Sequence, residues 1–271
     1  MIASTPLLCA AILMAALTDS SDEVLFDFNK RAESIAWQIE DDGAKGGASD
    51  GRFEITDEGM LRFYGRVSLD ENGGLASIRS VLQKRDLAKF DGISIRIKGD
   101  GKKYDLSIRT DFERMAGSYR RRFDTAADTW QQVFLPFDSF EATARGQVLR
   151  DAPGLNAEKI RSFGLTISDK QAGPFQIHVD WIKAARKPST LEERLVTAAC
   201  ATCIFDMQDV TGCKLAVEID GKHFLVKGTG IDDHGDAHAA DGMCNASRRS
   251  VVSGKVKDRV FVSTALKLLP K

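Results

Sequence analysis

"DGISIRIKGDGKKYDLSIRT", residues 91–110, carries the reading of the fold. Ile93, Ile95 and Ile97 alternate with Ser94, Arg96 and Lys98, a period of two that belongs to a half-buried strand rather than a helix. Gly99-Asp100-Gly101 interrupts the run, and "YDLSIRT" resumes the alternation beyond it. The same grammar extends in both directions. "GRFEI", "MLRFYGRVSL" and "ASIRSVL" come before; "WQQVFLPF", "SFGLTIS" and "PFQIHVDWI" come after. Asn72-Gly73-Gly74 and Gly173-Pro174 supply further turns. Short strands between turn signals over residues 24–185 predict an all-β sandwich or jelly roll, without the helices a parallel sheet would need.

A chain of 271 residues has room for one large domain or two ordinary ones. "KAARKPSTLEER" (183–194) passes from basic through Pro-Ser-Thr to acidic, and predicts a linker over 186–195. Composition changes there: after Cys9 the next cysteine is Cys200, and Cys203, Cys213 and Cys244 follow. The formal charge of −1 gives no field that would draw nucleic acid, and a solvated strand end accounts for "YRRRF" (119–123). The apolar run from Pro6 to Leu17 is too short to span a bilayer and fits a signal peptide over 1–20. That predicts export to the periplasm or medium, with no transmembrane segment once the signal is removed.

Within residues 24–185 the ordered motifs "LFDF", "DDGAKGGAS", "LRFYGRVSLDENGGLASIRS", "FDGISIRIKGDGKKYDLSIR", "WQQVFLPFDSF" and "GPFQIHVDWI" resemble the complex I intermediate-associated protein 30 family. The resemblance implies a galactose-binding-like jelly-roll sandwich. It also implies a non-enzymatic role of the NADH:ubiquinone oxidoreductase assembly type, a reading that rests on analogy because fold does not fix function. The chain departs from the family pattern at Asp42-Gly43-Ala44-Lys45-Gly46-Gly47, where a lysine replaces an apolar residue.

The sandwich holds no nucleophile–base constellation. Its one histidine, His178 in "FQIHVDWI", reads as a strand residue facing a neighbour. Binding of a protein or glycan partner is the expectation, with no catalysis. Tyr64, Tyr104, Tyr119 and Arg109 are candidates for a ligand face, since aromatic rings and guanidinium forks suit sugar recognition. Asp27 and Asp180, near the two ends of the domain, are candidates for a structural calcium.

Residues 196–271 offer strand candidates in "TCIFDM", "KLAVEID", "KHFLVKG", "SVVSGKVK" and "RVFVSTALKLL". Asp220-Gly221 turns the second into the third, and "DAHAADGMCNASRR" predicts one short helix capped by Asp236. Three strands, a helix and two strands give an OB-like five-stranded barrel. Four cysteines in an exported chain first suggest two disulfides among Cys200, Cys203, Cys213 and Cys244. The rival is zinc or another divalent cation. It would be held by Cys200 and Cys203 with His234 and His238, by all four cysteines, or, beside one disulfide, by Asp232, His234, Asp236 and His238. A thiol-redox module is the weaker third reading, because no βαβ unit follows the CxxC. "CATC", "GCKLAVEIDGKHFLVKGTGIDDHGDAH" and "DGMCNA" resemble a small uncharacterised secreted bacterial domain, which supplies no activity.

Overall fold

The computed structural model describes residues 22–29, 37–40, 48–70, 73–111, 117–144 and 146–270. The N-terminal run 1–20 and the divergent segment 42–47 lie outside them. The chain begins with β1 (Glu23–Asp27), β2 (Trp37–Ile39), β3 (Asp50–Ile55), β4 (Leu61–Val67) and β5 (Ala76–Ser80). Next come β6 (Gly92–Lys98), β7 (Lys103–Thr110), β8 (Ser118–Asp124) and β9 (Trp130–Pro136). β10 (Glu141–Ala144), β11 (Gln147–Val148), β12 (Ile160–Ile167) and β13 (Gly173–Ala185) complete the sandwich.

Two antiparallel sheets form it. One is ordered β3-β4-β13-β6-β9, with β1 pairing the second half of β13; the other is ordered β11-β10-β8-β7-β12-β5-β2. The opening stretch is where the chain passes between them, for β6 and β7 flank one turn yet sit in different sheets. Asp100 builds that corner. Its Oδ1 accepts from Lys102 N (3.0 Å) and Tyr104 Oη (3.1 Å), and its Oδ2 accepts from Gln176 N (3.0 Å). Gly101 sits at φ +90°, where a side chain would be strained. Ile93, Ile95 and Ile97 share the core between the sheets with Leu106 and Ile108, all fully buried. Truncating any of them to alanine would cost ~2–5 kcal/mol. The jelly-roll expectation is met.

The barrel follows: β14 (Leu191–Cys200), β15 (Leu215–Ile219), β16 (Lys222–Lys227), β17 (Arg248–Lys257) and β18 (Val260–Leu268). It closes in the order β14-β15-β16-β18-β17, with β16 and β18 parallel, the topology of an OB-type barrel. Asp220 (φ 51°) and Gly221 (φ 73°) form the two-residue turn that pairs Ile219 with Lys222.

Two sequence expectations are corrected. The first barrel strand is Leu191–Cys200, so strand structure occupies the second half of the expected linker 186–195, and "TCIFDM" forms turns instead of a strand. The charged "LEER" hid that strand's alternation, because Glu192 and Glu193 face the sandwich. The short helix at Asp236 is absent. A 3-10 turn, Asp232–His234, takes its place and Gly235 at φ +104° ends it.

The two domains touch along β9 and β14. Arg96 joins them: Nη1 lies 2.8 Å from Asp180 Oδ2, Nε lies 3.1 Å from Glu193 Oε2, and the guanidinium stacks 4.5 Å over the Trp130 ring. Arg249 Nη2 donates to Thr125 O at 2.7 Å, and Gln132 Nε2 donates to Glu192 Oε2 at 3.2 Å. No helix of the described residues is long and apolar enough to cross a membrane.

Candidate metal centre and the faces of the sandwich

Barrel topology gathers the cysteines. β14 ends at Cys200, and its two neighbours, β15 and β17, begin just after Cys213 and Cys244 at the same end of the barrel. Backbone bonds fix the approach. Cys200 N donates to Met243 O (2.8 Å), Ala201 N to Lys214 O (2.8 Å) and Cys244 N to Ala237 O (2.9 Å). The CxxC turn closes as Ile204 N donates to Cys200 O (3.1 Å). All four Sγ atoms consequently lie within 4.8 Å of one another, Cys200 and Cys244 buried, Cys203 and Cys213 at the surface. Ile231, Ala237 and Met243 pack beside them and stop that mouth of the barrel. Such a group could hold a metal ion.

The thiols influence one another. Burial pushes Cys200 up, but backbone N–H groups of Cys203 and Thr202 and the thiols of Cys203 and Cys244 outweigh it, and the net value falls to about 7. Cys203 is raised by its bond to Cys200, and Cys244 is raised first by burial and then by Cys213 and Cys200. This is the pattern of one favoured thiolate served by donors around it.

Of the expected metal ligands the structure brings together only the cysteines. No disulfide joins Cys200, Cys203, Cys213 and Cys244. His238 borders the group, its Nε2 3.6 Å from Cys213 Sγ. His234 Nε2 is instead 2.9 Å from Thr229 Oγ1, and Asp236 Oδ1 accepts from His238 N at 2.9 Å. Asp232 is exposed in the 3-10 turn. These three shape the loop, so the Cys₂His₂ alternative gives way to four cysteines. The spacing from Cys203 to His234 was the usable signal against it.

The proposed ligand face also divides. Tyr104 and Tyr119 point into the core, their hydroxyls bonded to Asp100 Oδ1 (3.1 Å) and Pro153 O (3.1 Å). Tyr64 lies on β4 with the Arg62 guanidinium 4.2 Å over its ring. Arg109 lies on the other sheet. The four share no surface, because alternation puts Tyr104 and Arg109 on opposite sides of β7. The outer side of the seven-stranded sheet is polar and carries a network of ion pairs. Glu40 binds Arg109 (Oε1 to Nη1, 2.9 Å) and Arg79 (Oε2 to Nε, 2.9 Å), while Arg122 takes Asp105 (3.0 Å) and Asp169. No local pattern marks this network, since Arg79 in "ASIRS" has the look of a solvated strand position.

The two calcium candidates have partners within the protein. Asp180 is paired with Arg96, and Asp27 Oδ1 accepts from Asn29 N (3.2 Å) and Nδ2 (2.8 Å). The four cysteines are the only metal-ready group among the described residues. His178, on β13, is half-buried, and its pKa is lowered by burial and then by the charges of Lys98 and Arg62.

The family profile for complex I intermediate-associated protein 30 matches residues 26–179, and a family of unknown function (DUF6370) matches residues 194–269. "Complex I intermediate-associated protein 30, mitochondrial" of Mus musculus is 28% identical over 191 residues, 63% of this chain and 58% of that protein. Its namesake in Neurospora crassa is 24% identical over 136 residues, 44% of this chain and 49% of that protein. The chain thus spans about half the length of these relatives. Among solved structures, the family 11 carbohydrate-binding module of a cellulosomal cellulase of Clostridium thermocellum has a TM-score of 0.47 and 16% identity, covering 62% of this chain and 97% of that one. The relatives named as mitochondrial overturn the expectation of bacterial export to the periplasm or medium. The argument from an oxidising compartment, which favoured disulfides, falls with it.

Proposed function

The chain belongs to the complex I intermediate-associated protein 30 family through its sandwich, and from that premise we propose that it is an assembly protein that binds an intermediate of respiratory complex I without catalysing a reaction. The observation that carries the reading is the family match over residues 26–179, the same residues that form the two-sheet sandwich. Chemistry agrees. Arg79, Arg109 and Arg122 are each held by a carboxylate, and His178 stands among Lys98 and Arg62 with its pKa pulled down, which supports a recognition surface over the described residues of the sandwich. The partner is a protein; a glycan is the alternative occupant. The barrel is an accessory whose cysteine group holds a divalent cation.

The test is removal of the protein from its own cells, followed by native-gel separation of complex I and capture of the tagged chain. Expected are a fall in assembled complex I, accumulation of subassemblies and co-purification of their subunits, all reversed by the intact chain. Normal complex I, with no subunit captured, would overturn the proposal. Selective binding to an oligosaccharide array would transfer the role to glycan recognition.

A further inference from the structure

We propose that the four cysteines of the barrel bind a single zinc ion in a closed tetrahedral site of four thiolates, and that this ion staples the mouth of the barrel. The inference rests on the reading of the cysteine group as a cation site and adds the ion's identity, number and role.

Geometry argues for one ion. Zinc–thiolate bonds of about 2.3 Å set the ligand sulfurs roughly 3.8 Å apart at the corners of a tetrahedron. Four Sγ atoms mutually within 4.8 Å need only a small inward movement to meet that figure. An iron–sulfur cluster also takes four cysteines, but it interposes two or more irons and bridging sulfides between them and needs a wider set of thiolates. Softness argues in the same direction: tetrahedral sulfur ligation suits zinc, whereas magnesium and calcium require oxygen.

Four protein ligands leave no open position, which marks a structural site and not a catalytic one. The surroundings serve such an ion. A zinc bound to four thiolates carries excess negative charge, and N–H donors aimed at sulfur disperse it. Backbone N–H groups of Thr202 and Cys203 point at Cys200, and the His238 ring stands 3.6 Å from Cys213 on the exposed side. The loop that supplies Cys244 has no regular secondary structure beyond its 3-10 turn, yet it plugs the barrel with Ile231, Ala237 and Met243. A metal link from Cys244 to Cys200, Cys203 and Cys213 ties that plug to the start of β15 and the end of β14. Folding of the barrel then depends on the ion.

The experiment is native mass spectrometry of the full chain, purified under reducing conditions without chelator, with metal and sulfide analysis of the same sample. It is followed by exchange of the bound metal for cobalt(II). The expected result is one zinc per chain, four alkylatable thiols beyond Cys9 only after the zinc is removed, and the intense visible bands of tetrahedral thiolate-bound cobalt. Removal of zinc should abolish amide protection in the barrel and leave that of β5, β7 and β12, in the sandwich sheet that does not carry β9, unchanged. Cys213→Ser should weaken retention at least tenfold and shift the cobalt bands. If that variant does not fold, the wild-type cobalt spectrum and alkylation count still decide. A chain lighter by two disulfides and free of metal would overturn both the cation site and the zinc proposal. Two or more irons with inorganic sulfide, a lone iron, or a zinc with fewer than four sulfur ligands would preserve the cation site and overturn this assignment.

Discussion

Replacing Glu40 by leucine should expose how the polar face of the sandwich is held. Glu40 accepts from two arginines at once, and its partners differ in their access to water. Arg79 is only 5% exposed, whereas Glu40 and Arg109 are 27% and 42% exposed. Without the carboxylate, Arg79 keeps Ser107 Oγ (2.9 Å) and Ser162 Oγ (3.4 Å), but its charge stays buried beside the like charge of Arg109. Breaking a fully buried pair costs ~3–5 kcal/mol, and an exposed pair contributes about 0–1 kcal/mol. With one partner buried and two half-open, the expected loss is about 2–3 kcal/mol, or roughly 5–10 °C in melting temperature for a domain of this size. Arg79→Met added to the leucine variant should restore much of it, because the uncompensated charge is then gone.

The pH dependence has a definite sign. Burial alone would raise the Glu40 pKa, but hydrogen bonds and charge from Arg109 and Arg79 hold it below the usual carboxylate value. A folded-state value below the unfolded one means the stabilisation is complete above about pH 4.3 and is lost as pH falls through the lower folded value. The gap between wild type and variant should therefore be full at pH 7 and close in stronger acid. Urea unfolding followed by tryptophan fluorescence isolates the sandwich. A loss under about 0.5 kcal/mol at pH 7, or a gap unchanged in acid, would refute the account of Arg79 as a dependent buried charge.

Tyr104→Phe removes a buried hydroxyl from Asp100 and should cost about 1 kcal/mol in sandwich stability, with partner capture unchanged; weaker capture at unchanged stability would return Tyr104 to a binding role. Arg96→Gln cuts the link from Asp180 and Glu193 across the two domains. A loss of about 1 kcal/mol should raise trypsin cleavage in the connector 186–190 roughly fivefold, and an unaltered digestion rate would show that the domains are held by other contacts.

Alternation made the sandwich legible, because each strand buries one face and the isoleucines of β6 announce it. The barrel was legible from Asp220-Gly221 and its hydrophobic runs, but its first strand was not. Glu192, Glu193 and Arg194 break the period of two, since their partners are supplied by the other domain and by Asp220. The cysteine group was half legible. CxxC marks Cys200 and Cys203 as neighbours, whereas Cys213 and Cys244 join them only because β15 and β17 flank β14, a fact of strand order that no local spacing encodes. Tyr104 and Tyr119 misled for a simple reason: an aromatic ring with a hydroxyl suits a sugar face and a core corner equally, and only strand phase separates the two.

The route by which the chain leaves the sandwich has a mechanical consequence. β13 is the central strand of its sheet, bonded to β4 and β1 on one side and to β6 on the other, and it runs directly through the connector 186–190 into the barrel. A pull on the barrel would load β13 along its own axis. Its hydrogen bonds to three neighbours would then resist in shear, all sharing the force, where an edge strand would peel away one bond at a time. The barrel is thus tethered to the stiffest line of the sandwich, and the connector, with no ladder on either side, is the element that yields first.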